Sequence, residues 1–543
     1  MAGRQEIYTA RRAASPPKGK RTGADRNTDR DTEKKTAKGT GKGAGAQSRA
    51  EQPPAAKTSA REKPVRPAAA AKTAKRETAK PPARRGTVRA PEAEEPAQRK
   101  PRRERTTREA RRELKEKKRT DAVYRDRRRA VSRGIDARVT LIALLTAVLV
   151  AGGLLLRAFA QEGQTDTQAL MLLALMAPLG LATTLLLPRA LPIDALTMAL
   201  TNLLCGISVV ILYTVSPTRG VRQALFYAGG LAVMVLMAAV VSRVRHWKGL
   251  TRLAMVLGVA ALALPLAFGE WNNGAKNWVE IPGLAPFQPS ELVKLCVVLT
   301  LAYYFSAHRT VWQMMPAILF AGACLLLLML QRDLGTALIY YLTTLVLFYA
   351  ACGNLPLTLL GMAGGAGAAV LGYQMFAHVK VRVAMWKNPW SDPLDKGYQI
   401  IQALLAIGSG GLFGVGLGQG TPEKIPEYHN DFIFAVICEQ MGLVFGLLLL
   451  VVYVLLIARG VSIITRSRRS FDLLLGCGVL AMLAIQTLMI VGGVIKMIPL
   501  TGVTMPFMSY GGSSLLSCMA MVGILHGICA RAQDDLEEDI LGA

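Results

Sequence analysis

From residue 139 onward the chain alternates long apolar runs with short polar breaks. Most runs reach roughly 18 residues or more, enough to cross a bilayer as helix. Twelve spans are predicted, at 139–157, 168–188, 193–215, 223–242, 250–269, 290–307, 311–330, 334–352, 355–377, 431–458, 471–492 and 511–530. The fold class is therefore an all-α polytopic membrane protein. Three longer polar stretches interrupt the pattern, at 270–289, 378–430 and 493–510.

Upstream of the spans the pattern vanishes. Between Ala10 and Ala122 there is no Ile, Phe, Tyr, Trp or Met. Such a segment cannot bury enough apolar surface to offset its ordering entropy, so residues 1–136 read as a disordered tail. Toward Glu104 to Arg133 a shift to Glu, Arg, Lys, Leu and Ala permits a charged helix leading into the membrane. The first apolar run begins too far from Met1 for a cleavable signal peptide.

Charge sharpens this division. The chain is +28 overall, and residues 1–136 hold 41 Lys and Arg against 18 Asp and Glu. A basic tail is thus joined to a nearly neutral membrane body. Its 10–122 stretch has no aromatic residues for stacking on bases and it has no recognisable nucleic-acid fold, so no nucleic-acid partner is expected. Anionic membrane lipids explain the same charge.

Basic residues also set the orientation. The tail, Arg243, Arg245, Lys248 and Arg252, and Arg459, Arg466, Arg468 and Arg469 share one side if the N-terminus is cytoplasmic. An even number of spans returns the acidic C-terminus, 532–543, to that side. The three polar stretches then face outward, and chemistry is expected there. All eight cysteines lie in apolar runs or at their ends without metal-ligand spacing, and read as small buried hydrophobes.

The richest stretch is Gly397 to Gly442, a glycine-rich hairpin followed by Glu423, Glu427, His429 and Asp431 and then an apolar helix. A carboxylate at the mouth of a membrane helix is functional by default, with N-capping as the bland alternative. His429 with Asp431 could hold a divalent cation, although a lone His-x-Asp is a weak signal. Gly408, Gly410, Gly411, Gly414, Gly416 and Gly418 allow close backbone approach and re-entrant turns, or alternatively a small-residue packing face. Ser290 can cap the span at 290–307, where Glu291 and Lys294 lie three apart on one face and can pair. Asp333 suits the cap of the next outward-starting helix. Gly511, Gly512, Ser513 and Ser514 open the last span in a shape able to offer backbone N–H groups to an anion.

The elements GAKNWV, QPSELVK, QRDLGTA, IGSGG, PEYHNDFIF and PLTGVTMPFMSYGGSS, in this order, resemble the SEDS family of peptidoglycan glycosyltransferases that includes RodA and FtsW. The resemblance covers about Ile193 to Ala530. Departures are Asn277 where the family usually has Arg, with Lys276 beside it as a substitute, Arg332 in place of Pro, and Ile490 where an Asn is common. Family members usually have ten spans, so 137–190 reads as an added helical hairpin before a 191–531 core.

The resemblance implies polymerisation of lipid II into glycan strands at the outer face of a bacterial cytoplasmic membrane, for division or elongation, beside a class B penicillin-binding transpeptidase. It implies Asp431 as catalytic base, and Trp278, Gln288, Glu291, Lys294, Arg382, Glu427 and Ser513 as substrate contacts. Lys294 and Arg382 would hold the pyrophosphate, with Glu291 orienting Lys294. No cofactor is required beyond a possible divalent cation. Two other classes remain, a lipid flippase and a non-catalytic scaffold. A flippase should show broken helices in two related halves, and one hairpin and no repeat are visible.

Overall fold

The computed structural model describes residues 137–160, 164–272, 274–280, 286–307 and 310–541. The tail and the helix expected over 104–133 lie outside the described residues. In chain order the helices are α1 (Ala137–Ala158), α2 (Thr167–Leu185), α3 (Leu187–Ala190), α4 (Ala195–Val215), α5 (Pro217–Arg243) and α6 (Trp247–Phe268). A small antiparallel hairpin follows, β1 (Glu270–Asn272) with β2 (Ala275–Trp278). Next come α7 (Pro289–Ala307), α8 (Val311–Leu330), α9 (Leu334–Cys352), α10 (Leu355–Met375), α11 (Ala377–Lys387) and α12 (Tyr398–Gly410). Last are α13 (Ile433–Ile464), α14 (Ser470–Val494) and α15 (Gly512–Leu541). Among the described residues 12 helices are long and apolar enough to cross a membrane; α3 only extends α2, while α11 and α12 lie between spans.

Helix starts follow side-chain chemistry. Asp166 accepts from the amides of Gln168 and Ala169, Asp194 from Thr197, Asp333 from Thr336 and Asn354 from Leu357. Each satisfies an amide that the first turn leaves open. Within the spans hydrophobicity cannot choose a packing face, because lipid is as apolar as leucine, so small residues choose it. Gly523 and Gly527, four apart on α15, sit against α5: a Cβ on Gly523 would lie 2.4 Å from the Met234 carbonyl oxygen, and one on Gly527 2.5 Å from Val241 Cβ.

Buried polar groups tie the helices further. Asn202 on α4 donates to Thr183 and Thr184 on α2 at 2.9 and 2.8 Å and accepts from Tyr227 on α5 at 2.7 Å. At the end away from the three polar stretches, Arg459 bridges to Asp194 at 2.6 Å and Arg531 to Asp472 at 2.7 Å. Asp194 is held below the usual carboxylate range, because the Arg459 guanidinium and the Thr197 hydrogen bonds outweigh the upward push of burial.

Four expectations are corrected. Ser290 does not cap α7: the helix starts one residue earlier at Pro289, whose missing amide suits a first position, and the Ser290 hydroxyl is buried without a partner. The span expected at 431–458 runs from Ile433 to Ile464 and is broken at Gly442, where φ is 85° and ψ 167°. The last span, expected to end at 530, continues to Leu541; no Gly or Pro interrupts residues 528–541, and Asp535 pairs with Arg469 at 2.6 Å, so 532–541 continues the helix. The outward polar stretch 378–430, expected as a loop followed from Gly397 by a glycine-rich hairpin, contains α11 and α12. All eight cysteines are free, five of them buried and three half-buried.

Candidate functional site

The glycine hairpin is built against the break in α13. After α12 the chain reverses, and its amides reach the residues that the break leaves open. Val415 N donates to the Glu439 carbonyl at 2.9 Å and Gly416 N to that of Gln440 at 3.0 Å. In return, Leu443 N donates to Gly411 and Val444 N to Leu412, at 3.0 and 3.2 Å. Irregular backbone at membrane depth is thus satisfied by a second irregular segment. Gly410 and Gly442 make the contact possible: a Cβ there would lie 2.1 Å from the Cys438 carbonyl and 2.3 Å from the Leu412 carbonyl. Gly408, in contrast, has nothing within 4 Å of such a Cβ. Side chains at the break complete the fit, with Gln440 Oε1 accepting from Gly418 N at 3.1 Å and Glu439 Oε1 from Thr421 N at 2.9 Å.

This arrangement leaves Asp431 just outside a short helical segment. Asp431 is not the helix cap, because α13 starts at Ile433 and the cap position belongs to Phe432, which makes no side-chain capping bond. A tight turn shapes the approach: Asn430 N and Asp431 N both donate to the Glu427 carbonyl, at 3.0 and 3.2 Å, with Glu427 at φ 56°. The 495–511 segment clamps the turn from the other side, with Ser509 Oγ donating to the Asn430 carbonyl at 2.6 Å and Tyr510 N to that of His429 at 2.9 Å. Among the described residues the non-glycine positions with positive φ are Glu427, Lys496 and Phe507 on the polar stretches and Arg332 in the turn between α8 and α9. Strained backbone therefore gathers at the end of the bundle that holds Asp431. At Arg332 the value is 62°, which a proline could not adopt, so the departure from the family's QPDLGTA has a backbone consequence.

Arg382 on α11 meets Asp431 across Gly502. A Cβ on Gly502 would lie 3.4 Å from Asp431 Oδ2 and 3.7 Å from Arg382 Nη2. Arg382 Nη1 donates to the Thr501 carbonyl at 3.1 Å, which holds the guanidinium in this gap. Burial pushes the Asp431 carboxyl up to about 7, aided by Glu427 and Asp333 and opposed by Arg382. Asp333 keeps its capping role and is also held through Oδ2 by Asn277 at 3.0 Å and Gln288 at 3.2 Å. The Lys276 ammonium donates to the Leu266 carbonyl at 2.8 Å.

His429 turns toward aromatic rings, 5.1 Å from Tyr428 and 5.9 Å from Tyr510. Burial and Arg219 lower its pKa, against the pull of Glu427, whose carboxylate lies 3.8 Å away. Glu427 also accepts from Asn430 Nδ2 at 3.0 Å. Among the described residues no group of three or more His, Cys, Asp or Glu side chains is placed to hold a metal ion.

The other expected contacts divide into two sets. Trp278 sits half-buried at the end of β2, and Gln288 is buried on Asp333. Lys294 and Glu291 do not face an outward cavity: they are 1% and 3% exposed, and Lys294 Nζ bonds Glu291 at 2.8 Å and Gln486 at 2.9 Å. Glu291 also accepts from Ser517 at 3.0 Å. Gln486 then reaches the site-bearing segment, its Nε2 donating to the Thr504 carbonyl at 2.7 Å, while Thr504 and Ser514 share a 2.7 Å hydroxyl contact. Ser513 is buried, and its hydroxyl has no partner.

Sequence reasoning missed Gln486 and Ser517 as members of this network, and Glu439 and Gln440 as acceptors at the helix break. The available signal was polarity inside apolar runs.

Comparisons with known proteins agree with this architecture. The chain is 32% identical to the peptidoglycan glycosyltransferase RodA of Mycobacterium leprae over 63% of this chain and 79% of that protein. It is 33% identical to the stage V sporulation protein E of Bacillus subtilis, over 62% of this chain and 96% of that one. With the peptidoglycan glycosyltransferase MrdB of Escherichia coli K12 the identity is 37%, over 55% and 83%. A solved structure, described as structural coordination of polymerization and crosslinking by a peptidoglycan synthase complex, contains a chain that matches with a TM-score of 0.54 at 27% identity, covering 63% of this chain and 98% of that one. Residues 189–534 match the profile of the FtsW, RodA and SpoVE cell cycle proteins, and this multi-pass membrane protein belongs to that family.

Proposed function

We propose that this chain is an inverting peptidoglycan glycosyltransferase that polymerises lipid II. The observation that carries the reading is Asp431, a carboxyl pushed up to about 7 and set beside Arg382 across Gly502. A general base works best when its pKa lies near the working pH. Asp431 takes the proton from the acceptor sugar's 4-hydroxyl as that oxygen bonds the donor anomeric carbon. The bond from that carbon to the pyrophosphate breaks, and its electron pair leaves on the polyprenyl pyrophosphate. Arg382 stabilises the charge that develops there. Trp278 and Glu427 belong to the substrate surface, Gln288 positions Asp333, and the Lys294 and Glu291 pair supports the frame from inside the bundle.

The pH profile tests this. The base must be ionised, so lipid II polymerisation by the purified protein should rise with pH through a midpoint near 7 and level off above it. A flat profile between about pH 5.5 and 8.5 would exclude Asp431 as the titrating base.

The likeness to a chain of a peptidoglycan synthase complex supports a class B penicillin-binding transpeptidase as partner. Residues 137–190 lie almost wholly before the family match and form an accessory hairpin packed on α4. Both termini are cytoplasmic in this reading, and the basic tail meets anionic lipids. Single cysteines introduced at Glu62 and Lys387 check the orientation with an impermeant thiol reagent. Labelling of Lys387→Cys but not Glu62→Cys in cells with a permeable envelope and intact membrane is the expected outcome; the reverse pattern inverts the topology.

A further inference from the structure

The re-entrant segment 411–420 is poorly equipped to hold its own shape. Five of its residues are glycines, Gly411, Gly414, Gly416, Gly418 and Gly420, and all five have positive φ. Such backbone loses the most conformational freedom on ordering and brings no side chains to pack. Leu412, Phe413 and Val415 are exposed. Leu417 differs, being half-buried against the core of the bundle.

Leu417 rests on α1, the first helix of the accessory hairpin. A Cβ on Gly153 would lie 2.5 Å from Val210 Cγ1 on α4 and 3.2 Å from Leu417 Cδ2, so the bare backbone at Gly153 opens a notch where α1, α4 and Leu417 meet. Nearby, the hairpin is locked to α4. Tyr213, fully buried, donates to Asp166 Oδ2 at 2.9 Å; Asp166 also caps α2, and its amide donates to the Ala158 carbonyl of α1 at 3.0 Å. The next residue of α4, Thr214, lies with its Cβ 3.7 Å from the place a Cβ on Gly418 would take. Its hydroxyl is shared between the Ile211 carbonyl at 2.8 Å and Gln440 Oε1 at 3.3 Å.

We propose that the accessory hairpin forms a seat for the re-entrant segment, and that Gly153 and Leu417 thereby act as positioning residues for Asp431. The relay is short. Leu417 is flanked by Gly416 and Gly418, whose amides donate to the Gln440 carbonyl and side chain at 3.0 and 3.1 Å. Gln440 belongs to the short helical stretch, 433–441, that follows Asp431 and ends at the break. Without the seat the glycine backbone relaxes and that stretch loses two of the bonds fixing it. A misplacement of about 1 Å at a reacting group can cost about 100-fold in rate. A hairpin serving only as a membrane anchor gives no reason for a glycine notch that admits a side chain from the segment leading to the base. The catalytic half of this proposal rests on the transferase reading of Asp431.

Two readouts on the full-length protein in detergent keep the seat and that reading apart. Amide hydrogen exchange is followed over 411–421 and 433–441, and kcat and KM for lipid II polymerisation are measured on the same samples. Leu417→Ala empties the notch and Gly153→Val fills it; each should speed exchange in both stretches and lower kcat about ten-fold, with KM nearly unchanged. The double variant should lose no more than the worse single, since both act on one contact. Leu417→Met refills the notch and should keep exchange and kcat close to the unmodified values. Leu156→Ala, on the exposed side of α1, should change neither. Unchanged exchange in folded Leu417→Ala, or faster exchange with an unchanged kcat, would overturn the proposal. Faster exchange in Leu417→Ala, when the unmodified protein polymerises no lipid II, would sink the transferase reading instead and still support the seat.

Discussion

Lys294→Met is expected to destabilise the protein by about 3–5 kcal/mol, the cost of leaving one member of a buried ion pair uncompensated. In the native bundle Lys294 Nζ lies between Glu291 and Gln486, at 2.8 and 2.9 Å, and is 1% exposed. Methionine fills similar space, but the Glu291 carboxylate would keep only its Ser517 hydrogen bond. Lys294→Met/Glu291→Gln removes both charges, so it should recover most of the loss. Thermal unfolding in detergent measures both variants, and lipid II polymerisation is assayed on each. The network also reaches Thr504 through Gln486, so turnover should fall in the single variant and return in part in the double. A single variant as stable as the unmodified protein but without activity would contradict the framework role, and would restore Lys294 as a substrate contact.

The spans were legible because apolar length is decisive in a bilayer. The run at 334–352 matches α9 to the residue, and the spans predicted at 139–157 and 168–188 appear as α1 and α2. The interruption at Gly442 was not legible. A glycine within an apolar run looks like a packing residue, and its φ of 85° is imposed by the 411–416 backbone, about 30 residues upstream in the chain.

The site was legible in its residue types and less so in its directions. The Glu291 and Lys294 pair follows from spacing, but a nearly uniform apolar helix does not reveal which face turns inward. Their partners Gln486 and Ser517 lie 192 and 226 residues further along. Arg382 was readable through the family resemblance, whereas its meeting with Asp431 depends on Gly502, from a third segment. Asp431 itself stood out because a carboxylate at a helix mouth needs a reason. The start of α13 at Ile433 removes the capping explanation.

The central claim is that Asp431 is the base of a glycosyl transfer. Asp431→Asn keeps the size of the side chain and removes the proton acceptor. Because the carboxyl is raised to about 7 by burial and by Glu427 and Asp333, the neutral amide should fold as well as the acid does or slightly better near neutral pH. The sign is clear: a carboxyl with its folded pKa above its unfolded value loses stability as pH rises from the ordinary carboxyl value of 3.8 to about 7, and the amide escapes that cost. The decisive measurement is the initial rate of lipid II polymerisation by purified Asp431→Asn beside the unmodified protein, at equal amounts of folded material. A rate loss of roughly 100-fold or more with an unchanged melting temperature is the predicted result. Polymerisation at the unmodified rate would contradict the assignment and return the flippase and scaffold readings to the front.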